Sequence, residues 1–512
     1  MIGKRAMAVV DRDWSRMAIR GVAFNGAYQA LNVLVALGMM LVLARIIPPA
    51  EYGRVGVVIA WLGLLNTFNC ATFMAQALQL PEDCEPDWST HFIVGCYIQG
   101  ILWAACYLLG VGFASWAAYR EIAGLLRVGS FGFLLDCPNQ LGVTMLRREM
   151  DFRTFRLIHA FGTISAASTT VTLGLLGYGA YAIVIGNNVI SALPFGIYLF
   201  FVRRWHPGKG CWRWLGLNTC KPVLRFGLQR LGSGLLYSGR GALEAAVLQI
   251  AVGYTGIGFW NRAQALFSTS IGRMGTVVTE SVYPLLPRFA HDGDRYARQT
   301  TLYLQVMLWT VVPGSFFVGF SAPAVSRLLY GSKWVAADPL LWPAALIGCG
   351  MLVFTTCSSI LLAVNRLALC LTLDALLVCL SLPTLFIAWK SGNLSAYAWA
   401  LTAAQMVASV ITLACASKYL QRGWLRSILF PPLVASLGAI PSMFVAGWGT
   451  GSWYPSVRLL TSATAFGLVV VFIYRALFPH LLARILDRIP SSHSMRRWFW
   501  LPMLSQSPTE AN

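Results

Sequence analysis

Charged side chains are scarce in this sequence. Only 11% of its 512 residues are Asp, Glu, Lys or Arg, whereas soluble domains carry about 25%, and this shortage excludes an ordinary water-soluble fold. Apolar runs recur instead, and about fourteen of them reach the ~20 residues that a helix needs to cross the hydrocarbon core. They lie at 17–47, 55–80, 91–118, 122–146, 157–176, 179–202, 223–250, 256–287, 299–321, 337–364, 367–389, 396–417, 428–448 and 457–478.

Long hydrophilic connections are also missing, and no loop is long enough to fold as a separate domain. Backbone groups in lipid must be satisfied within their own segment, which makes helices the default. The sequence therefore predicts an all-α polytopic membrane protein. Its first apolar run is about twice as long as the h-region of a signal peptide, so we expect an uncleaved anchor.

The sequence lacks the usual patterns of metal and disulfide chemistry. Its twelve cysteines contain no C-x-x-C pair, and its six histidines form no H-E-x-x-H. Most cysteines lie within apolar runs, where they fill space as small polarizable side chains. A disulfide framework, a metal site and a cofactor are therefore not expected.

The net charge of +20 invites a nucleic-acid interpretation, but the positions of the cations argue against it. With the N-terminus placed inside, the even-numbered connections collect most Lys and Arg, as in the segments 147–156 and 203–221. This pattern follows the positive-inside rule. It predicts cytoplasmic termini and no nucleic-acid partner.

The longest internal connection divides the chain into blocks. It follows the sixth span, and its tryptophans and cations suit a helix at the level of the lipid headgroups. Two six-helix lobes joined by a linker are typical of parallel repeats. The predicted division is an N-lobe (1–202), a cytoplasmic interfacial linker (203–222), a C-lobe (223–417), spans 13 and 14 (418–478) and a cytoplasmic tail (479–512).

Arginines within the seventh and eighth spans are the most informative feature. A charge in the bilayer centre is expensive and tends to face a bundle interior or a wet cavity. At 100° per residue, a stripe on the eighth span falls within about 20° of one line. It consists of Arg262, Thr269, Arg273 and Glu280.

The seventh span carries a looser stripe of Arg230, Tyr237, Gly241 and Glu244, with Arg240 on its edge. Because the two spans form an antiparallel pair joined near residue 253, Glu244 reaches the depth of Arg262. We predict that these two residues pair, either as a structural ion pair or as part of a coupling site. The remaining arginines exceed the acids in these spans, which favours an anionic ligand.

Uncharged polar residues form further faces. In the first span Asn25, Gln29 and Asn32 share a face with Tyr28 beside them, and cavity lining and helix packing explain this stripe equally well. Two other groups favour interhelical hydrogen bonding. These groups are Asn66, Asn69 and Gln76 in the second span and Asp136, Asn139 and Gln140 in the fourth. Asp136 could also carry a proton.

Several stretches together resemble one family. They are "LARIIPPAEYGRVGVV" (43–58), "LRREMDFRTF" (146–155), "IGFWNRAQALF" (257–267), "YPLLPRFAHD" (283–292) and "LLYGSKWVAADPLL" (328–341). Their order is similar to that in bacterial oligosaccharide/polysaccharide flippases of the Wzx type, in the multidrug/oligosaccharidyl-lipid/polysaccharide exporter superfamily. The resemblance covers roughly residues 15–420.

The resemblance implies two six-helix lobes around a central cavity. It also implies transport of oligosaccharide on undecaprenyl pyrophosphate across the bacterial inner membrane, for exopolysaccharide, capsule or O-antigen. Arg230, Arg240, Arg262 and Arg273 are the positions able to supply a cationic cavity, with Asn25, Tyr28, Gln29, Asn32 and Tyr237 as its polar lining. Glu244 and Asp136 are candidates for ion coupling, and polysaccharide polymerase and co-polymerase proteins are candidate partners.

Two alternatives remain at this point. A drug/cation antiporter of the same superfamily would need buried acids, and the spans show a basic excess instead. An integral-membrane glycan polymerase or ligase would need a sizeable outer loop with catalytic Arg or His. The outer connections are short, and the one at 322–336 offers only Arg327 and Lys333. A transporter rather than an enzyme is therefore expected.

Overall fold

The computed structural model describes residues 28–78, 80, 84–208, 217–282, 286–449 and 455–486, and every regular element in these ranges is helical. The first half contains α1 (Tyr28–Ile46), α2 (Pro49–Asn66), α3 (Cys70–Met74), α4 (Trp88–Ser115), α5 (Arg120–Arg148), α6 (Phe152–Leu175), α7 (Ala180–Val184), α8 (Pro194–Ile197) and α9 (Leu217–Phe267). The second half contains α10 (Arg273–Val282), α11 (Leu286–Phe289), α12 (Gly293–Tyr330), α13 (Asp338–Ala363), α14 (Leu367–Ser391), α15 (Leu394–Ala416), α16 (Trp424–Ile428), α17 (Phe430–Gly449), α18 (Pro455–Leu477) and α19 (Pro479–Leu486).

The expected all-α polytopic membrane architecture is confirmed, but the count of about fourteen spans is not. In the described ranges, 11 helical stretches are long and apolar enough to cross a membrane. Helices α5 and α6 occupy the predicted fourth and fifth spans, yet they are too polar to be among the 11. The predicted seventh and eighth spans merge into one stretch, Gly234–Gly272.

The merged helix α9 contains one break. Gly253 has φ 70° and ψ 177°, which is non-helical backbone. A positive φ is inexpensive only for glycine, so this residue allows the chain to turn between two helical arms. The junction predicted near residue 253 therefore coincides with a real interruption.

Contacts between Cα atoms divide the chain into two compact units. The first consists of residues 1–261 and 385–396, and the second of residues 262–384 and 397–512. The lobe boundaries predicted from the connections stay a prediction.

In the first unit, α3, α4 and α5 pack around a core with the segment Ala180–Val202. Cys70, Phe92, Leu141 and Leu199 contribute to this core. Two helices of this unit begin where an aspartate side chain satisfies a free backbone N–H group. Asp87 accepts a hydrogen bond from the backbone N–H of Thr90 at the start of α4, and Asp151 does the same for Thr154 at the start of α6.

In the second unit, α17 and α18 pack against α12. Trp309 on α12 stacks on Tyr474 with ring centroids 4.3 Å apart. The Tyr474 hydroxyl donates to the Trp309 carbonyl at 2.9 Å, and the Trp309 indole donates to the Ser427 carbonyl at 3.1 Å. The last two predicted spans, which correspond to α17 and α18, thus pack against α12 through aromatic contacts and hydrogen bonds.

Candidate functional site

Helix α5 presents a polar face next to Pro138. Asp136, Asn139 and Gln140 lie three and four residues apart, which places them on one side of the helix. The side-chain amides of Asn139 and Gln140 donate to Oδ1 of Asp136 at 3.1 and 3.0 Å. This carboxylate therefore accepts two hydrogen bonds from side chains of its own helix.

Two further amides reach the other oxygen of the same carboxylate. Asn69 donates to Oδ2 of Asp136, and Gln99 on α4 donates to the same oxygen at 3.5 Å. Asn69 itself is fixed, because its Oδ1 accepts from the Ala71 backbone at the start of α3. Amide donors compensate the cost of placing a carboxylate among membrane-spanning helices.

A cavity of about 380 Å³ opens beside Asp136. It is lined by polar residues of α2, of α5 and of the segment Ala180–Val202. The polar lining residues are Asn66, Asn69, Asp136, Asn139, Gln140, Asn187, Asn188 and Ser191. We call this space the amide chamber.

The segment Ala180–Val202, which forms the third wall of the amide chamber, departs from regular α-helical backbone. Asn187 and Asn188 lie in a π-type turn, Ile185–Val189, and such turns are frequent at functional sites. The wall approaches α5 closely at Gly132, where an added Cβ would stand 2.4 Å from the Asn188 carbonyl oxygen. Only glycine permits this approach.

A second cavity of about 520 Å³ adjoins the amide chamber, and the two share Asn139, Gln140, Asn187 and Ser191. We call it the basic chamber, because Arg147 and His159 are in its lining. Asn32 and Thr163 add polar groups to the same wall. Both chambers lie within the first unit.

Aromatic rings surround His159. The ring centroids of Phe155, Phe195 and Tyr28 lie 4.8, 4.9 and 5.5 Å from that of His159. The Tyr28 hydroxyl lies 3.5 Å from Nδ1 of His159 and 3.4 Å from the Thr163 hydroxyl. These contacts fix the orientation of the imidazole.

Guanidinium groups lie over the same rings. Arg147 and Arg156 stand 5.2 and 5.1 Å from the Phe155 centroid, and Arg156 also stands 5.1 Å from the Tyr28 centroid. Cation–π contacts of this kind position a guanidinium without cancelling its charge. The basic chamber therefore has a positively charged wall.

A separate cluster lies on the arms of α9. Arg240 and Glu244 form an ion pair at 3.4 Å, and each side chain is only 15% exposed. The Trp260 indole donates to Oε1 of Glu244 at 3.1 Å. The break at Gly253 makes this contact between the two arms possible. Tyr237 is exposed, and its ring centroid lies 6.0 Å from the Arg240 guanidinium carbon.

Two other predicted arginines, Arg262 and Arg273, lie in the second unit. Arg262 is half-buried, and its carbonyl accepts from the Tyr330 hydroxyl at 3.3 Å. Arg273 is half-buried and begins α10, directly after a π-type turn at Ser268–Gly272. The pair of Glu244 with Arg262 stays a prediction.

The predicted polar stripe of the first span is partly described. Tyr28 and Asn32 contact or line the basic chamber, and Oε1 of Gln29 is buried without a hydrogen bond to any described residue. Asn25 and the side chains of Arg230 and Glu280 lie outside the described residues. Whether these residues form one cavity with the α9 arginines stays a prediction.

Sequence analysis missed part of the two chambers. It did not single out Asn187, Asn188 and Ser191, although two adjacent asparagines in an apolar span are a detectable signal. It interpreted Arg147 only as a topological charge, and it did not single out His159. The interhelical hydrogen bonding expected for Asp136 and Asn139 is present, because Asn69 donates to Asp136 and the Phe195 backbone donates to Asn139, and both residues also face open space.

Comparisons with known proteins identify the family. Residues 42–339 match the model of a family described as "Polysaccharide biosynthesis protein". The teichuronic acid biosynthesis protein TuaB of Bacillus subtilis (strain 168) is 22% identical over 423 residues, which cover 81% of this chain and 86% of TuaB. The succinoglycan biosynthesis transport protein ExoT of Rhizobium meliloti (strain 1021) is 24% identical over 320 residues, covering 62% of this chain and 63% of ExoT.

Among solved structures, the fold is similar to that of the lipid II flippase MurJ in an inward closed conformation. The TM-score is 0.71 at 13% identity, and the match covers 89% of this chain and 99% of MurJ. The expected transporter class, in place of an enzyme, is confirmed. Because the family model matches more than half of its length, this chain belongs to the polysaccharide biosynthesis protein family, as a multi-pass membrane transporter.

Proposed function

We propose that this protein moves an oligosaccharide linked to undecaprenyl pyrophosphate from the cytoplasmic to the outer leaflet of the bacterial inner membrane. The translocated glycan would enter exopolysaccharide, capsule or O-antigen. Membership of a polysaccharide biosynthesis family supports the glycan, and the apolar helices support passage through a bilayer. Both termini are cytoplasmic in this proposal, as the positive-inside pattern predicts.

The amide chamber is the observation that carries the proposal. Sugar hydroxyls donate and accept hydrogen bonds, so they are matched by side-chain amides and carboxylates. Asp136, Asn139, Gln140 and Asn187 provide such groups around a space of about 380 Å³. Ligand pockets usually measure about 300–1,000 Å³, and this chamber shares lining residues with the adjoining basic chamber.

The α9 and α10 arginines supply the second part of the proposal. Guanidinium groups bind phosphate oxygens in bidentate fashion, and Arg230, Arg240, Arg262 and Arg273 would receive the pyrophosphate during passage. Arg240 is held by Glu244 at 3.4 Å. A pyrophosphate with at least two negative charges would compete with that single carboxylate for the guanidinium.

Alternating access is the proposed mechanism. Rocking of one lobe against the other would expose the headgroup to each face in turn, while the polyprenyl chain stays in lipid. Glu244 and Asp136 are the candidate groups for coupling to a proton or sodium gradient. Polysaccharide polymerase and co-polymerase proteins are the proposed partners that would receive the glycan.

The test is glycan export by variants in a strain that lacks the chromosomal copy. Arg240→Glu and Arg273→Glu should each abolish export, because they place a negative charge in the path of an anionic headgroup. Arg240→Lys and Arg273→Lys, which keep the charge, should retain part of it. Full export by both charge-reversal variants, with wild-type protein levels, would contradict the role of the arginines.

A matched pair of aspartate variants tests the amide chamber separately. Asp136→Asn removes the carboxylate that four amides contact. Asp374→Asn makes the same change on α14, away from the lining of both chambers. Export should fall about tenfold for Asp136→Asn, since one hydrogen bond to a charged group contributes about 1.5–3 kcal/mol, and it should stay near wild type for Asp374→Asn. Equal export by the two variants would count against the chamber.

A further inference from the structure

The amide chamber contains one source of charge. Of the described residues that line it, Asp136 alone is ionisable. Its side chain is half-buried and borders the cavity from the polar face of α5. The other polar lining residues offer side-chain amides and one hydroxyl, which carry no net charge. A molecule in this space therefore meets a single negative charge among neutral hydrogen-bonding groups.

The charge of Asp136 is held in place without being cancelled. Its carboxylate accepts hydrogen bonds from the neutral amides of Asn69, Gln99, Asn139 and Gln140. Such bonds stabilise and orient a carboxylate but leave its net charge unchanged. Asp136 forms no ion pair with a Lys, Arg or His of the described ranges. Because the four donors fix the carboxylate, its charge keeps one position in the wall.

The third wall of the amide chamber offers hydrogen-bonding groups that are still available. The side-chain amides of Asn187 and Asn188 line the chamber and make no hydrogen bond to another described residue. Asn187 is exposed, and only its backbone carbonyl is engaged, by the Ser191 hydroxyl. Each amide both donates and accepts, which is the combination that a sugar hydroxyl or acetamido group satisfies.

A second negative charge in this space would be repelled. The interaction of two unit charges is about fourfold stronger at partly buried sites than in bulk water. Uronic acids, which have a carboxylate at C6, meet this repulsion from Asp136, as do sugars that carry pyruvyl or sulfate groups. Neutral sugars escape it and keep the hydrogen bonds of Asn187 and Asn188. Repulsion of the wrong ligand is a common source of specificity.

We propose that Asp136 acts as a charge filter, so that the amide chamber admits neutral sugars of the lipid-linked glycan and excludes acidic ones. The proposal rests on the proposed function and names the class of sugar that the chamber accepts. Asp136 acts here through its field, as a specificity-determining residue, while Asn187 and Asn188 form the hydrogen bonds to the sugar. The pyrophosphate stays outside this chamber, at the α9 and α10 arginines of the proposed function.

The experiment measures binding to the full chain in nanodiscs at neutral pH. One probe is undecaprenyl pyrophosphate with a short glucose oligosaccharide, and the other has glucuronic acid in place of every glucose, so that the two differ only at C6. Wild type should bind the neutral lipid at least tenfold more tightly, because like charges in proximity are costly. Asp136→Asn should lower this affinity ratio at least fivefold, because the repelling charge is gone.

The matched control is Asp374→Asn, which removes a carboxylate from α14 outside the lining of both chambers. Its affinity ratio should stay within twofold of wild type. The ratio distinguishes a charge filter from a structural role, because a variant that only loosens the chamber weakens the binding of both lipids together. Asn187→Asp provides a second variant in case Asp136→Asn unfolds. It adds a negative charge to the same chamber and should raise the ratio at least threefold.

The outcomes separate the charge filter from the proposed function. An unchanged affinity ratio in either folded variant would overturn the charge filter and leave the proposed function standing. Equal affinity of the wild type for the two lipids would overturn the filter as well. Absence of binding of both lipids by the wild-type protein would overturn the proposed substrate itself.

Discussion

Arg240 and Glu244 lie one turn apart on α9, and Nη2 of the arginine is 3.4 Å from Oε2 of the glutamate. The other carboxylate oxygen accepts from the Trp260 indole across the break at Gly253. Glu244 therefore connects the two arms of the helix as well as balancing a charge. An ionic group in an apolar environment is stabilised only while its partner remains.

A double-mutant cycle tests this pair. Glu244→Ala should lower the free energy of unfolding by about 1.5–3 kcal/mol, because hydrogen bonds to charged groups contribute on this scale. Arg240→Ala combined with Glu244→Ala should lose less than the sum of the single changes, with a coupling of about 0.5–1 kcal/mol. The measurement is thermal unfolding in detergent, and Leu243→Ala, an exposed neighbour on α9, is the control. Strict additivity would show that the two side chains do not interact.

The wall of the amide chamber gives a second prediction. Gly132→Ala would place a Cβ 2.4 Å from the Asn188 carbonyl oxygen, so α5 must move away from the segment Ala180–Val202. Overpacking of this kind costs about 1–3 kcal/mol, and we expect a lower melting temperature together with reduced export. Gly63→Ala is the matched control, since Gly63 lines the same chamber and an added Cβ there meets nothing within 4 Å. The prediction is wrong if the two alanine variants behave alike.

Two arginines of the connection 147–156 should differ in their contribution to stability. The Arg148 guanidinium donates hydrogen bonds to the carbonyls of Leu80 and Cys84. Arg148→Ala should therefore destabilise the protein by about 1–3 kcal/mol, because these bonds are lost. Arg153→Ala, which changes an exposed residue a few positions away, should stay within about 0.5 kcal/mol of wild type. Thermal unfolding of both variants provides the comparison. A smaller effect for Arg148→Ala than for Arg153→Ala would contradict the assignment.

A pH dependence follows from the cap of α4. Burial raises the pKa of Asp87, but hydrogen bonds from Thr90 and the nearby charge of His91 outweigh this effect, and the net pKa lies below its ordinary value of 3.8. A lowered pKa means that the folded state favours the carboxylate, so this stabilisation is complete above pH 3.8 and is lost as the pH falls through the folded value. Asp87→Asn keeps a capping oxygen without the charge.

Wild type should therefore be more stable than Asp87→Asn at neutral pH, and the difference should disappear in acid. Melting temperatures of the two proteins between neutral pH and pH ~3 would test this expectation. A difference that stays constant over the whole range would exclude the carboxylate as its source.

The sequence was sufficient for much of the fold, because hydrophobic run length is a direct consequence of bilayer thickness. It predicted the helices and the junction at Gly253. Its count of about fourteen spans is not confirmed, because α5 and α6, helices of nearly the expected bounds, are not among the 11 apolar stretches of the described residues, and the predicted seventh and eighth spans merge into one. Packing inside a bundle tolerates the polar residues of α5 and α6.

The site was harder to predict, because the amide chamber is assembled from helices far apart in the sequence. Periodicity placed Asp136 and Asn139 on one face, but it contains no information that Asn188 would lie opposite Gly132. Arg147 fitted the positive-inside pattern, and that explanation concealed its place in the basic chamber. The partner of Glu244 was sought on another span, although spacing of four residues also favours Arg240.

The most direct test of the account is the leaflet in which the lipid-linked intermediate accumulates when this protein is absent. Undecaprenyl-pyrophosphate-linked oligosaccharide should build up on the cytoplasmic side of the inner membrane, protected from glycan-modifying reagents added outside, and expression of the wild-type chain should expose it. Accumulation of the same intermediate in the outer leaflet, or no accumulation at all, would contradict the proposed translocation.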